Sequence, residues 1–189
     1  GTATSTVKQK AGPLSVKAAT SSFAYNVTSA TPGFTVKNYG GGAVTGATFS
    51  KDAGDTWITD INSSTGVLTL SQNNTTLNRS AIITATKDDA TGTATITQTH
   101  ASISVTATPG TKVTPASDPA YVPVTLTATN NATSTSLNLS EGHYTVTAHS
   151  PNCTDNRNGV LHFTANGTYT ITLTVDDAVA TTSVNISDF

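Results

Sequence analysis

The segment Ile171-Thr-Leu-Thr-Val175 alternates apolar and polar residues at every position, and Val122-Pro-Val-Thr-Leu-Thr-Ala128 repeats this pattern earlier. Such alternation is typical of a β-strand that buries one face and leaves the other in water. No stretch of ten or more residues carries apolar side chains at helical spacing. Pro123 cannot donate to a neighbouring strand, which favours either an edge strand or a strand start. We therefore expect an all-β chain.

Turn signals separate the alternating segments of the second half. They are Thr108-Pro-Gly110, Asn130-Asn131, Glu141-Gly142, Asn158-Gly159, Asn166-Gly167 and Asp176-Asp177. About seven short strands over about 90 residues is the pattern of an immunoglobulin-like sandwich. The first half has similar segments, and Asp88-Asp89 predicts a hairpin between its last two strands. We expect two tandem immunoglobulin-like β-sandwich domains, residues 1–100 and 101–189, with the boundary near His100.

The alternation also predicts which side chains form the two cores. In the first domain they are Phe34, Val36, Trp57, Leu68, Leu70, Ile83 and Ile96. In the second domain they are Val124, Leu126, Leu139, Tyr144, Val146, Phe163, Ile171, Leu173 and Val175.

The first eleven residues repeat a later stretch of the chain. Gly1-Thr-Ala-Thr-Ser-Thr is similar to Gly92-Thr-Ala-Thr-Ile-Thr, a stretch that closes one domain and leads into the next. Residues 1–11 are therefore either the closing strand of a preceding domain or simply a Thr-rich strand in a Thr-rich chain. Because Gly1–Lys10 lacks a hydrophobic centre, we expect no signal peptide in this part of the chain.

Five elements of the first half occur in the order of a known family. They are Trp57-Ile58, Ser64-Thr65-Gly66, Leu70-Ser71-Gln72-Asn73, Arg79-Ser80-Ala81 and Thr95-Ile96-Thr97-Gln98. Residues 12–100 thereby resemble the BACON domain of gut Bacteroidetes proteins and their phages. The resemblance implies an immunoglobulin-like sandwich that binds glycan or mucin or holds other domains apart, and it assigns no particular residues. Residues 164–186 resemble the end of a PKD-type or bacterial Ig-like domain; without the PKD Trp and Gly-Asp-Gly, only the Ig-like fold is implied.

The composition argues against several classes of partner. Only 11% of residues are charged, and 9 basic residues stand against 11 acidic ones, for a net charge of −2. This balance gives no electrostatic surface for nucleic acid or anionic lipid. No segment approaches the roughly 20 apolar residues of a membrane span, so we expect no membrane insertion. The single Cys153 cannot form an internal disulfide.

Catalytic motifs are missing from the chain. There is neither a Gly-x-Ser-x-Gly elbow nor a Gly-x-x-x-x-Gly-Lys phosphate loop. Cys153 falls in a Pro-Asn-Cys-Thr segment that we interpret as a loop thiol without a role, although His149 is four residues away. We expect no enzyme activity and no cofactor.

The chain contains histidines and paired aspartates, which are residue types that bind metal ions. His143 and His149 stand roughly 20 Å apart on one strand, too far to share an ion, although His162 could neighbour either across strands. The segment 154–159 fails as an EF-hand because Thr154 occupies the first ligand position. The Asp52/Asp55, Asp88-Asp89 and Asp176-Asp177 loops could hold calcium, but Asp is also a common turn residue, and we interpret these loops as turns. We expect no metal site.

One loop has the residues that a sugar-binding module needs. Tyr39 precedes Gly40, Gly41 and Gly42; an exposed Tyr offers a stacking face and a hydroxyl, and glycines let a ligand approach the backbone. The alternative is that the glycines form a bulge across which Tyr39 packs.

Two functional hypotheses follow. The first is a non-catalytic module of a surface or secreted protein that contacts glycan or another surface protein, or acts as a spacer. It would be monomeric and extracellular, held at the cell surface by a lipid anchor outside this segment. The alternative is an adhesion or assembly domain of a phage virion, in a tail or head fibre.

Overall fold

In a computed structural model, residues 11–140, 144–148, 151–155 and 158–189 are described, and all their regular elements are strands. The chain forms two compact units. The first comprises Gly1–Gln72 with Arg79–Thr99, and the second comprises Asn73–Asn78 with His100–Phe189. The prediction of two tandem immunoglobulin-like sandwiches is confirmed. The sequence did not predict that Asn73–Asn78 groups with the second unit, whereas the boundary near His100 stays a prediction.

From residue 11 onward, where its description begins, the first unit has nine strands in three sheets. The strands are β1 (Ser15–Ala18), β2 (Ser22–Phe23), β3 (Ser29–Ala30), β4 (Phe34–Lys37), β5 (Thr48–Lys51), β6 (Ile58–Ile61), β7 (Leu68–Leu70), β8 (Arg79–Lys87) and β9 (Ala90–Gln98). The sheet orders are β2-β9-β8-β5, β3-β7-β6 and β1-β4. All pairs are antiparallel except β2 with β9.

The predicted hairpin between the last two strands of this unit is confirmed. β8 and β9 pair over nine residues each, and Lys87 pairs with Ala90 across a two-residue turn. Asp88, the first turn residue, has a φ of 51°. A positive φ is what a tight hairpin turn demands, and Asp tolerates it better than most residues do.

The core of the first unit contains most of the predicted side chains. Val36, Leu68, Leu70, Ile83 and Ile96 are buried. Phe34 packs against this core from its edge, with its ring stacked on that of Phe49 at a centroid distance of 5.0 Å. Gly66 lies under this pair at a φ of 71°, where a Cβ would come within 2.5 Å of the Phe34 ring.

Like Phe34, Trp57 was predicted to lie in the core but packs at its edge. Ile58 is fully buried, whereas Trp57 is only half-buried and packs at the edge of the core. Neighbouring residues of an extended chain point in opposite directions, so the two side chains cannot both enter the core. Because β6 begins at Ile58, the smaller residue fills the interior.

Among its described residues, the second unit has eight strands in two sheets. The strands are β10 (Ile103–Pro109), β11 (Val122–Asn130), β12 (Thr135–Ser136), β13 (Thr145–Ala148), β14 (Cys153–Asp155), β15 (Val160–Phe163), β16 (Gly167–Val175) and β17 (Ala178–Ile186). One sheet has the order β10-β11-β15-β14, with β12 also paired to β11, and the other is β13-β16-β17. Pro123 is the second residue of β11, which lies between β10 and β15, so the strand-start interpretation holds and the edge-strand one does not.

The core of the second unit follows the alternation closely. Of the predicted side chains, Tyr144 and Val146 are partly buried. The others are buried: Val124, Leu126, Leu139, Phe163, Ile171, Leu173 and Val175. The core also contains Tyr169, whose ring lies 4.5 Å from that of Phe163. The Tyr169 hydroxyl donates to the carbonyl of Ala165 at 2.8 Å, which satisfies its polar end.

Candidate ligand-binding site

The predicted Tyr39 loop is a tight turn at the tip of an extended segment. β4 ends at Lys37, and the Asn38 side chain then closes the turn by accepting a hydrogen bond from the Gly42 N–H at 2.9 Å. The Gly41 N–H donates to the Asn38 carbonyl at 2.9 Å. Gly41 has a φ of 82°, a conformation that favours glycine, so this turn needs at least one of its glycines.

Tyr39 projects from this turn into solvent. Its side chain is 85% exposed, the largest value among the large hydrophobic side chains that the structure describes. Tyr39 therefore does not pack across the glycines, as the alternative required, whereas a ligand contact at this turn stays a prediction. The residue touches the protein mainly at its base, where a Cβ on Gly12 would lie 3.1 Å from the Tyr39 Cβ.

A pocket of about 290 Å³ lies at the base of Tyr39. Tyr39 and Gly40 line it, whereas Gly41 and Gly42 form the turn behind it. The remaining lining residues are Ala11, Gly12, Leu14, Asn38, Val44, Lys87, Asp88 and Ala90. Lys87 and Asp88 come from the β8–β9 hairpin, so the pocket combines an aromatic face, an amide and both signs of charge.

Four residues from the BACON-like elements, Trp57, Ser71, Arg79 and Gln98, are connected by contacts of Arg79 in the first unit. Arg79 donates from Nε and Nη2 to the Gln98 Oε1, at 3.0 and 2.6 Å. Its Nη2 also donates to the Ser71 carbonyl at 2.5 Å. The guanidinium lies 4.8 Å from the ring centre of Trp57, a cation–π contact. Burial lowers the pKa of Arg79 from its ordinary value.

Gln98 is the centre of this network. Its side chain is fully buried. The Nε2 lies within donating distance of three backbone carbonyls, those of Ala24, Tyr25 and Val27, at 3.3, 3.1 and 3.0 Å. Gln98 therefore ties the 24–27 segment to Arg79. These contacts stabilise the unit.

Three of the carboxylates in the Asp-containing loops, those of Asp52, Asp176 and Asp177, accept hydrogen bonds. Asp52 Oδ1 accepts from the Gly54 N–H at 3.0 Å. In the second unit, Asp177 Oδ2 accepts from the Asn78 N–H at 2.8 Å, and Asp176 accepts from the Thr76 hydroxyl. Within the ranges that the structure describes, no three or more His, Cys, Asp or Glu side chains are placed to share a metal ion.

The histidines are only partly described. His143 and His149 lie outside the described residues, as do Asn156 and Arg157 of the 154–159 segment. The His162 ring stacks on Tyr121 at a centroid distance of 3.8 Å, and burial lowers the pKa of His162. Whether His162 neighbours the other two therefore stays a prediction.

Cys153 is not in a loop, as the sequence had suggested, but begins β14 and packs against the core. Burial, and secondly the negative charge of Asp155, raise the pKa of Cys153 to about 11. Only the thiolate is a good nucleophile, so the side chain is unsuited to catalysis at neutral pH.

We expect the thiol to react slowly as a result. At pH 8, iodoacetamide should modify Cys153 about 100-fold more slowly in the folded protein than in the protein unfolded by guanidinium, because the raised pKa reduces the thiolate fraction. The rate in the folded protein should still be rising at pH 10, whereas the unfolded rate should level off near pH 9. Equal rates at pH 8 would contradict the burial of this thiol.

Comparison with known proteins supports the fold. No protein-family model matches the chain, and no curated protein matches it. Domains 3–5 of the Drosophila OTK extracellular region are similar, with a TM-score of 0.52 and 14% identity over 93% of this chain and 61% of that one. Human Protocadherin-24 EC1-2 gives a TM-score of 0.38 at 8% identity, covering 92% of this chain and 95% of that one. Domains 4 and 5 of the S-layer protein SbsC give 0.31 at 13%, covering 94% and 98%.

The first of these similarities agrees with the fold of tandem immunoglobulin-like sandwiches described above. This chain spans 61% of the length of that OTK structure. At such low identity the similarity concerns the fold alone. In the part of the chain that the structure describes, there is no helix of the length and apolarity needed to cross a membrane.

Proposed function

We propose that this chain is a non-catalytic extracellular module that contacts glycans through Tyr39 and the pocket at its base. The observation that carries the proposal is the exposure of Tyr39, at 85%, on a turn held rigid by the Asn38 side chain. An aromatic ring left in water costs free energy, because its apolar faces remain hydrated. A pyranose ring stacked on it would remove that surface from water.

The groups around the ring suit a sugar. The amide of Asn38, the ammonium of Lys87 and the carboxylate of Asp88 all line the pocket, which gives both donors and acceptors for hydroxyl groups. Small ligands are typically held by an apolar surface with a few placed polar groups. At about 290 Å³, the pocket is suited to one or two sugar residues.

An extracellular location and membership of the BACON family are parts of the same proposal. The OTK domains are extracellular by their description, and they share the fold of this chain. The BACON assignment is supported by the contacts of Arg79 with Trp57 and Gln98, because these contacts join three separate elements of the motif. Because no family model matches the chain, membership of the BACON family is a proposal.

A glycan array probed with the chain tests the proposal. We expect retention of at least one glycan class, and Tyr39→Ala should weaken binding about tenfold or more, equivalent to about 1.4 kcal/mol. Tyr39→Phe keeps the stacking face and should retain most of the affinity. Phe189→Ala, which removes another exposed aromatic ring, should have no effect.

Two results would contradict glycan binding at this site. One is that no glycan is retained by the wild-type chain. The other is that retention survives Tyr39→Ala. In either case the role of the module as a spacer is favoured instead.

A further inference from the structure

A second, larger groove lies on the first unit beside strand β8. Its volume is about 560 Å³. The lining residues are Asp52, Gly54, Asp55, Ser80, Ala81, Ile82 and Thr95. None of them lines the Tyr39 pocket, so the groove and that pocket are separate.

The groove follows an edge of β8 that no described strand covers. β8 has nine residues, but β5 has four and pairs only with the segment from Ile83 to Thr86. Residues 79–82 pair with β9 on their other edge. After Lys51 the chain turns away through Asp52–Asp55, and this turn forms the opposite wall of the groove.

The backbone direction in β8 follows from its neighbour β9. Thr91 accepts from the Leu14 N–H, and the Thr97 N–H donates to Ser21, so odd-numbered residues of β9 direct their backbone groups away from β8. The even-numbered residues of β9 therefore bond to β8. By the register, their partners are the odd-numbered residues of β8.

The backbone N–H and C=O groups of Ser80 and Ile82 consequently point to the open edge. In the parts of the chain that the structure describes, no backbone hydrogen bond joins these two residues to the groove side. Unpaired groups of this kind are a template for an added strand. Four residues of extended chain span about 13 Å, which matches residues 79–82.

The side chains around this edge indicate which residues an added strand would carry. Ile82 stands on the outer face and is 54% exposed. Its neighbours in the groove, Ser80 and Thr95, offer hydroxyl groups. Among the described residues, the charged side chains that line the groove are the carboxylates of Asp52 and Asp55, so the lining is negative. The Lys51 ammonium lies against the same turn, where it donates to the backbone carbonyls of these two residues at 3.4 and 3.1 Å.

We propose that an extended segment of a partner polypeptide adds to the Ser80–Ile82 edge of β8 as a further strand. The segment places an apolar side chain over Ile82 and a lysine or arginine next to Asp52 and Asp55. Its backbone completes the hydrogen bonds that β5 leaves unmade. This interaction goes beyond the proposed function, because it requires neither a glycan nor the Tyr39 pocket.

Two capped peptides test the proposal, Thr-Val-Thr-Lys-Val-Thr and the same sequence with Glu in place of Lys. We expect the Lys peptide to bind the chain in fluorescence anisotropy at millimolar concentration or below, and the Glu peptide to bind at least about tenfold more weakly. Amide hydrogen exchange at Ser80 and Ile82 should slow when the Lys peptide is bound. Tyr39→Ala should leave this binding unchanged, which separates it from glycan binding.

Two variants decide the outcome. Ser80→Pro removes an N–H that points into the groove and makes no bond to β9, so it should abolish peptide binding with little loss of stability. If that variant does not fold, the double charge reversal Asp52→Lys with Asp55→Lys serves instead and should exchange the preference between the peptides. The proposal is wrong if neither peptide binds, if binding survives Ser80→Pro in a folded protein, or if charge reversal leaves the preference unaltered.

Discussion

Replacing Gln98 with alanine is expected to destabilise the first unit by about 5 kcal/mol. The change removes the acceptor of two Arg79 hydrogen bonds and the donor shared by the carbonyls of Ala24, Tyr25 and Val27. Each buried polar group left without a partner costs about 1–3 kcal/mol, and the cavity left by the truncated side chain adds to this. Urea unfolding followed by tryptophan fluorescence measures the loss, since the single Trp57 lies beside Arg79.

Two further variants isolate the cause. Gln98→Glu keeps an acceptor for Arg79 but removes the amide donor to the three carbonyls, so its effect should be intermediate. Thr97→Ala changes the neighbouring side chain on the other face of β9 and should cost less than about 1 kcal/mol. Equal losses for Gln98→Ala and Thr97→Ala would show that the network contributes nothing specific.

The second large effect is expected at Gly92, where alanine should cost about 4 kcal/mol or more. A Cβ at this position would collide with the Leu14 carbonyl group, with the carbonyl carbon at 2.8 Å. Backbone atoms cannot rotate aside as a flexible side chain can. The segment before β1 would have to leave β9, and the Leu14 hydrogen bond to Thr91, at 2.9 Å, would be lost. Both the collision and the lost packing are destabilising.

Gly54→Ala is the matched control for this prediction. A Cβ at Gly54 meets nothing closer than the Asp52 Oδ1 at 3.7 Å, so the change should alter the free energy of unfolding by no more than about 0.5 kcal/mol. Thermal unfolding of the two variants side by side provides the measurement. A Gly92→Ala protein as stable as Gly54→Ala would show that Leu14 does not pack against β9 as described.

Much of the fold could be predicted because it depends on local alternation. Ile171, Leu173 and Val175 point inward for the simple reason that every second residue of a strand does. The burial of Ile58 in place of Trp57 was harder to predict, since both are apolar and only the start of β6 decides which one enters the core. Gln98 could not be recognised as buried at all. Its burial depends on partners 19 and more residues away, and no local pattern reports them.

Only part of the candidate site could be predicted from the sequence. Tyr39 and its glycines could be found because an aromatic residue beside three glycines is a local feature. Lys87 and Asp88 could not, because they reach the same pocket from a distant hairpin. The open edge of β8 was equally hidden. It arises from a mismatch between a nine-residue strand and a four-residue one, and strand lengths and pairing are set by tertiary structure.

The hairpins β8–β9 and β16–β17 are built alike, each with two nine-residue strands and a two-residue Asp-Asp turn whose first residue has a φ of 51° or 53°. In each unit the longest ladder is therefore closed by the shortest loop, which costs the least conformational entropy and forms within about 1–10 μs. Folding of both units is expected to begin at these equivalent places. Because the chain is synthesised from its N-terminus, Gln98 completes the first hairpin before Ile103 starts β10. The two folding nuclei therefore emerge from the ribosome one after the other. This order limits mispairing between strands of the two units, which are similar in being rich in threonine.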